Sequence, residues 1–103
     1  MKTTYAQKLP TGWGNIAKVF AALGDPTRQR ILLFFERDER LGIKEIAEQF
    51  KVSRTTIVHH LAVLEAAKLL VRQRRGRDVL FHVNTIVLAD ALGRALTYVQ
   101  REV

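Results

Sequence analysis

Apolar residues recur along this chain at helical spacing in five places and at alternating spacing in one. Trp13, Ile16, Ala17, Phe20 and Leu23 follow i, i+3, i+4, i+7, which predicts an amphipathic helix closed by Gly24. In "GDPTRQRILLFFERDER", Asp25 stands as an N-cap and Pro26 at the first helical position, where its missing N–H is harmless. That second helix is expected to bury Ile31, Phe34 and Phe35. After Gly42, the positions Ile43, Ile46, Ala47 and Phe50 predict a short third helix, with Lys51 and Val52 as the turn that follows and Val52 expected to plug it from beneath.

Ser53, the only serine, is placed to cap a fourth helix at 53–66, although Thr56 stands where a capping box wants Glu. At about 100° per residue, Leu61 and Leu64 fall within about 40° of Ile57, and these three define the buried stripe. Thr55, Thr56, Val58, His59 and Ala62 then face outward, and His60 flanks the stripe. Past Leu69 the period changes. "LLVRQRRGRDVLFHV" holds two β-friendly runs around "RRGR", where Gly76 can supply a positive φ, so a hairpin with an arginine-rich tip is expected, with Val79, Phe81 and Val83 on one face. Thr85 is expected to cap a last helix with a stripe of Leu88, Leu92, Leu96 and Val99. Its small neighbours Ala89, Gly93 and Ala95 allow a second helix to approach closely.

Composition bounds this pattern. A chain of 103 residues has room for one core, so residues 13–103 are expected to form a single domain preceded by a flexible arm at 1–12. With no cysteine there is no disulfide, thiolate metal site or thiol switch to propose. "MKTTYAQKLPTGWG" has no apolar core of signal-peptide length, and "VFAAL" and "ILLFF" are too short to cross a bilayer. A cytoplasmic protein is expected, with no membrane partner.

Charge points to function. Lys and Arg number 17 against 10 Asp and Glu, a formal +7. Residues 51–77 alone hold Lys51, Arg54, Lys68, Arg72, Arg74, Arg75 and Arg77 against Glu65, so most of the excess lies in a quarter of the chain. A concentrated basic block is the footprint of a polyanion binder. The element order, with two short helices joined by a turn and followed by a hairpin, is that of a helix-turn-helix with a wing. In such a fold the second helix of the motif enters the major groove with its N-terminal residues at base edges. Thr55, Thr56 and His59 can hydrogen-bond bases or phosphate, Val58 can touch a thymine methyl, and Arg54 can reach a guanine or a phosphate. The set expected at double-stranded DNA is Ser53, Arg54, Thr55, Thr56, Val58 and His59 from the helix, and Arg72, Arg74, Arg75, Gly76 and Arg77 from the wing.

These motifs resemble the ArsR/SmtB winged-helix transcriptional repressors over residues 16–99. "ALGDPTRQRIL" is similar to the family's first helix junction, "IKEIAEQFKVSRTTIVHHLAVLEAAKLL" to its reading motif and "RRGRDVLFHV" to its wing. The resemblance implies a mainly α fold of five helices with one β-hairpin between the fourth and fifth. It also implies a homodimer built from the first and last helices, which represses a promoter until a signal releases it. The signal itself is not identified by the likeness. The residues expected at that interface are Trp13, Ile16, Phe20, Leu88, Leu92, Leu96 and Val99.

The departures from the family are specific. The cysteine motif of members that sense thiophilic metals is replaced here by "IKEIAEQF", and the last helix offers Asp90 and Arg94 where another subgroup has Asp and His pairs. No metal or other cofactor is therefore expected. Lys68 stands where the family usually ends the fourth helix with Gly, and Val58 where it often has Ser.

Rival readings fare less well on the residues. Adjacent His59 and His60 point about 100° apart on a helix, whereas two metal ligands from one helix face need a spacing of three or four. His60 reads as a structural histidine bonded near the third helix, and His82 as a half-exposed strand residue. An enzyme is not expected: Ser53 is engaged as a cap, and no base and orienting group accompany it. The alternative to a sequence-specific regulator is a winged helix that binds DNA without sequence preference or docks a protein.

Overall fold

The computed structural model describes residues 2–103, with side chains from residue 3 onward. The elements run α1 (Lys2–Gln7), α2 (Gly14–Leu23), α3 (Pro26–Phe34), β1 (Leu41–Gly42), α4 (Ile43–Gln49), α5 (Arg54–Ala66), β2 (Leu70–Arg75), β3 (Asp78–Val83) and α6 (Thr85–Glu102). This is the mainly helical fold with a hairpin that the pattern predicts, with two additions. A short helix occupies part of the segment read as an arm, making six helices among the described residues rather than five. A two-residue strand, β1, joins the edge of the hairpin, pairing Leu41 with Phe81 and Gly42 with Leu80. The sheet order is β1-β3-β2, antiparallel throughout. Among the described residues no helix is long and apolar enough to cross a membrane.

Local hydrogen bonds set most of the boundaries. The Asp25 carboxylate accepts from the Arg28 backbone N–H at 3.0 Å, and Pro26 follows at the first helical position. At α4 the Glu45 carboxylate reaches back to the Gly42 N–H at 3.1 Å, which closes one half of a capping box and leaves Gly42 without a side chain to close the other. The cap of α6 is Asn84, whose Oδ1 accepts from the Val87 N–H at 3.2 Å. Thr85, expected in that role, is the first residue of the helix, which starts one position earlier than the sequence reading places it, so the cap falls to Asn84.

The core gathers Ile16, Val19 and Ala22 of α2, Ile31 and Leu32 of α3, Ile46 and Phe50 around α4, Ile57, Leu61 and Leu64 of α5, and Leu69, Leu70 and Phe81 of the hairpin. Three details differ from the sequence reading. Ile16, expected at a dimer interface, is 1% exposed and belongs to the chain's own core. In α3 the buried pair is Ile31 and Leu32, while Phe34 is exposed and stacks edge-on against Phe50 at 5.7 Å between ring centroids. Val52 does not plug the turn from beneath but is exposed. Of the last helix only Ala91 is fully buried, with Val87 and Leu88 packed against the core. Phe20, Leu92, Leu96 and Val99 remain 43%, 46%, 56% and 54% exposed.

Candidate DNA interface

The first two turns of α5 carry the outward set. Ser53 Oγ accepts from the Thr56 N–H at 3.1 Å, which supplies one of the donors a helix start leaves unpaired. Ser53 Oγ also lies 2.9 Å from Thr56 Oγ1, so the Thr56 hydroxyl is oriented by the cap. Ile57, Leu61 and Leu64 are fully buried, and this anchors the rotation of the helix. Thr55, Thr56, Val58 and His59 are exposed on the opposite side, as the helical angles predict, and Arg54, about 60° from Ile57, is exposed in the first turn.

The two histidines part company. Their ring centroids are 6.0 Å apart at a tilt of 54°, His59 in solvent and His60 half-buried. His60 Nδ1 meets Arg28 Nη1 at 3.3 Å, so the structural bond goes to α3 rather than to the expected short helix before the turn. Arg28 also donates from Nε to the Ala22 carbonyl at 2.6 Å and from Nη2 to that of Ala21 at 3.4 Å, covering the C-terminal end of α2. The Arg28 N–H bond holds the Asp25 carboxyl below its ordinary value; partial burial opposes this, and the Arg28 charge and the Thr27 N–H reinforce it. Among the described residues no three His, Asp or Glu side chains gather where a metal ion would fit.

The exit from α5 aims the wing. Lys68 has a φ of 66° and follows the last turn in the left-handed region. The Leu69 N–H reaches the Leu64 carbonyl at 2.9 Å and the Lys68 N–H that of Glu65 at 2.9 Å, the two bonds of a Schellman motif. Leu64 and Leu69, its apolar pair, are both fully buried. Each such leucine contributes about 1.5–3 kcal/mol on burial, which makes packing the main determinant of where the hairpin starts.

Register sorts the wing residues. Leu70 pairs with Val83, Arg72 with Phe81 and Arg74 with Val79 on one face, while Gln73 pairs with Leu80 and Arg75 with Asp78 on the other. Arg72 and Arg74 thus share the sheet face of buried Phe81, and Arg75 lies on the reverse. The turn is Gly76–Arg77, with Gly76 at a φ of 62° in open space, so a side chain there meets backbone strain but no neighbour. Arg74, Arg75 and Arg77 are exposed. Arg72 is engaged: its Nε and Nη2 meet Glu65 Oε2 and Oε1, each at 3.2 Å, and its guanidinium carbon lies 5.3 Å from the Phe81 ring centroid. Both partners keep solvent contact, and an exposed pair of this kind contributes about 0.2–1 kcal/mol. Arg28, Glu65 and Asn84 were not singled out by the sequence reading. Of these only Asn84 carried a local signal, as a capping residue next to the one chosen.

In α6, Asp90 and Arg94 form an i,i+4 ion pair at 3.8 Å. Trp13 packs edge-on against Tyr98 at 5.3 Å, which fastens the start of α2 to the last helix. His82 is half-buried on β3, its Nδ1 has no hydrogen-bond partner among the described residues, and burial, then the Arg40 charge, lowers its pKa from the ordinary histidine value.

Comparison with known proteins agrees with this geometry. A helix-turn-helix domain family matches residues 23–73, from the end of α2 into β2. The chain is 34% identical over 83 residues to the transcriptional repressor SdpR of Bacillus subtilis (strain 168), spanning 81% of this chain and 91% of that protein. It is 35% identical over 67 residues to the transcriptional repressor SmtB homolog of Synechocystis, covering 65% of this chain but 50% of that protein. Among solved structures, an ArsR-like transcriptional regulator from Rhodococcus sp. RHA1 superposes with a TM-score of 0.77 at 31% identity, over 87% of this chain and 83% of that one. The chain therefore belongs to the ArsR-type winged helix-turn-helix family, whose members are DNA-binding transcriptional regulators and not enzymes.

Proposed function

We propose that the protein is a homodimeric repressor that reads an operator in the major groove with the start of α5 and meets phosphate or the adjacent minor groove with the tip of the wing. The observation that carries the reading is the exposed set Thr55, Thr56, Val58 and His59 on one face of a helix whose other face is locked into the core, with Arg54 exposed at its first turn. Threonine and histidine supply hydrogen-bonding groups for base edges, and Val58 an apolar contact. Arg74, Arg75 and Arg77, with Gly76 shaping the turn, supply charge for the backbone. The curated relatives named as repressors favour repression over activation.

Dimerisation is supported by shape and by surface. The Cα radius of gyration is 15.8 Å, against about 13 Å for a compact domain of this length. Phe20, Leu92, Leu96 and Val99 lie exposed on α2 and α6, two helices that pack together, which favours a second copy covering them. Trp13 and Leu88 stand at the margin of that surface, half-buried. In this reading the regulator works in the cytoplasm, alongside the DNA, and uses no metal or other cofactor.

The test is a competition titration between the DNA upstream of the protein's own gene and random duplex at fixed salt. Specific recognition gives an affinity ratio of about a thousand or more. Equal affinities would leave a charge-driven, sequence-blind binder instead.

A further inference from the structure

We infer that Glu65 acts as an internal substitute for a DNA phosphate, holding Arg72 in a two-point contact and so removing one cation from the sequence-independent attraction of the protein for DNA. The inference rests on the reading above, in which the wing meets the backbone. Both Glu65 oxygens face the Arg72 fork, Nε and Nη2, at 3.2 Å each. A guanidinium meets two phosphate oxygens in the same planar geometry, so one occupant excludes the other. Glu65 is also the single acid between positions 51 and 77, where seven bases lie.

The pair is not what positions the wing. The Schellman turn at Lys68 and the burial of Leu64, Leu69, Leu70 and Phe81 fix the hairpin, and their packing far outweighs one solvated ion pair. What remains for the carboxylate to control is charge. Arg72 is well placed for it: its side chain is 53% exposed, on the same sheet face as Arg74. Phe81 beneath it keeps the guanidinium near the surface in either state.

Equilibrium binding to random-sequence duplex across a salt series tests this. Glu65→Gln keeps the shape and removes the charge. It is expected to bind about fivefold tighter near physiological salt, with a log K against log salt slope steeper by about one unit. In an Arg72→Gln background the Glu65→Gln change should leave the slope unaltered. Arg72→Gln alone should also leave the slope near wild type, because its charge is already neutralised. Thermal unfolding reports whether each variant is folded. A folded Glu65→Gln protein with unchanged slope overturns the inference, as does the same steepening in the Arg72→Gln background. So does a flattening by Arg72→Gln alone, which would mean Arg72 already contacts phosphate. Arg75→Ala reads the underlying wing proposal separately: its slope flattens by about one unit if the wing meets the backbone, whatever Glu65 does.

Discussion

Arg28 Nη1 lies 3.3 Å from His60 Nδ1, joining α3 to α5 across 32 positions of sequence. A guanidinium has no acceptor, so His60 Nδ1 receives the bond and its ring proton sits on Nε2. The same guanidinium covers the Ala21 and Ala22 carbonyls, so one side chain fastens the end of α2, the start of α3 and the middle of α5 together. Arg28→Ala should therefore destabilise the protein by about 2 kcal/mol in urea unfolding, with His60→Ala costing less. A double-mutant cycle isolates the Arg28–His60 contact; full additivity would show that it contributes nothing.

Lys68 holds a φ of 66° in a Schellman turn that usually takes glycine. Relief of a left-handed non-glycine residue, less the extra chain entropy of glycine, should make Lys68→Gly about 1 kcal/mol more stable. Denaturant midpoints measure this directly, and a loss of stability would mean that the lysine side chain contributes more than its backbone strain costs.

The helix and the wing should fail differently. Thr55→Ala, Thr56→Ala or His59→Ala should cost about 1–3 kcal/mol on the operator with far less effect on random DNA, so the specificity ratio falls. Arg75→Ala or Arg77→Ala should weaken both DNAs, each lost phosphate contact flattening the salt slope by about one unit. Thr56 carries an added effect through its contact with the Ser53 cap, so its loss of binding should come with a small loss of stability. Helix substitutions that weaken both DNAs equally would reverse these assignments.

Leu92 is exposed on the outer stripe of α6, so a charge there does not disturb the core of one chain. Leu92→Glu should leave each chain folded but dissociate a dimer in sedimentation and abolish operator binding. An unchanged dimer would place the interface elsewhere. Two-fold symmetry then predicts half-sites about 34 Å apart, or a multiple of that.

His82 resists protonation in the fold because burial disfavours its charged form and Arg40 adds to the effect. The unfolded chain takes up the proton first as pH falls below about 6.5, so stability should decline from there down to the folded-state pKa and change little above it. His82→Phe should flatten the stability curve in that window. An identical slope in the variant would assign the acid sensitivity to another group.

Local features were legible in the sequence because their physics acts over three or four residues. The caps at Asp25 and Ser53, the positive φ at Gly76, the buried Ile57, Leu61 and Leu64 and the outward face opposite them all follow from helical angle and short-range hydrogen bonding. Tertiary structure decided what local spacing leaves degenerate. In α2 apolar residues surround much of the helix, and only the approach of the other helices selected Ile16, Val19 and Ala22 for burial and left Phe20 outside. Leu32 prevailed over Phe34 for the same reason. The strand pair of Leu41 with Phe81, the bond from Arg28 to His60 and the clasp of Glu65 on Arg72 join residues that no periodicity links. They form because burial of the apolar stripes brings their elements together, and the polar side chains at the margins then find partners.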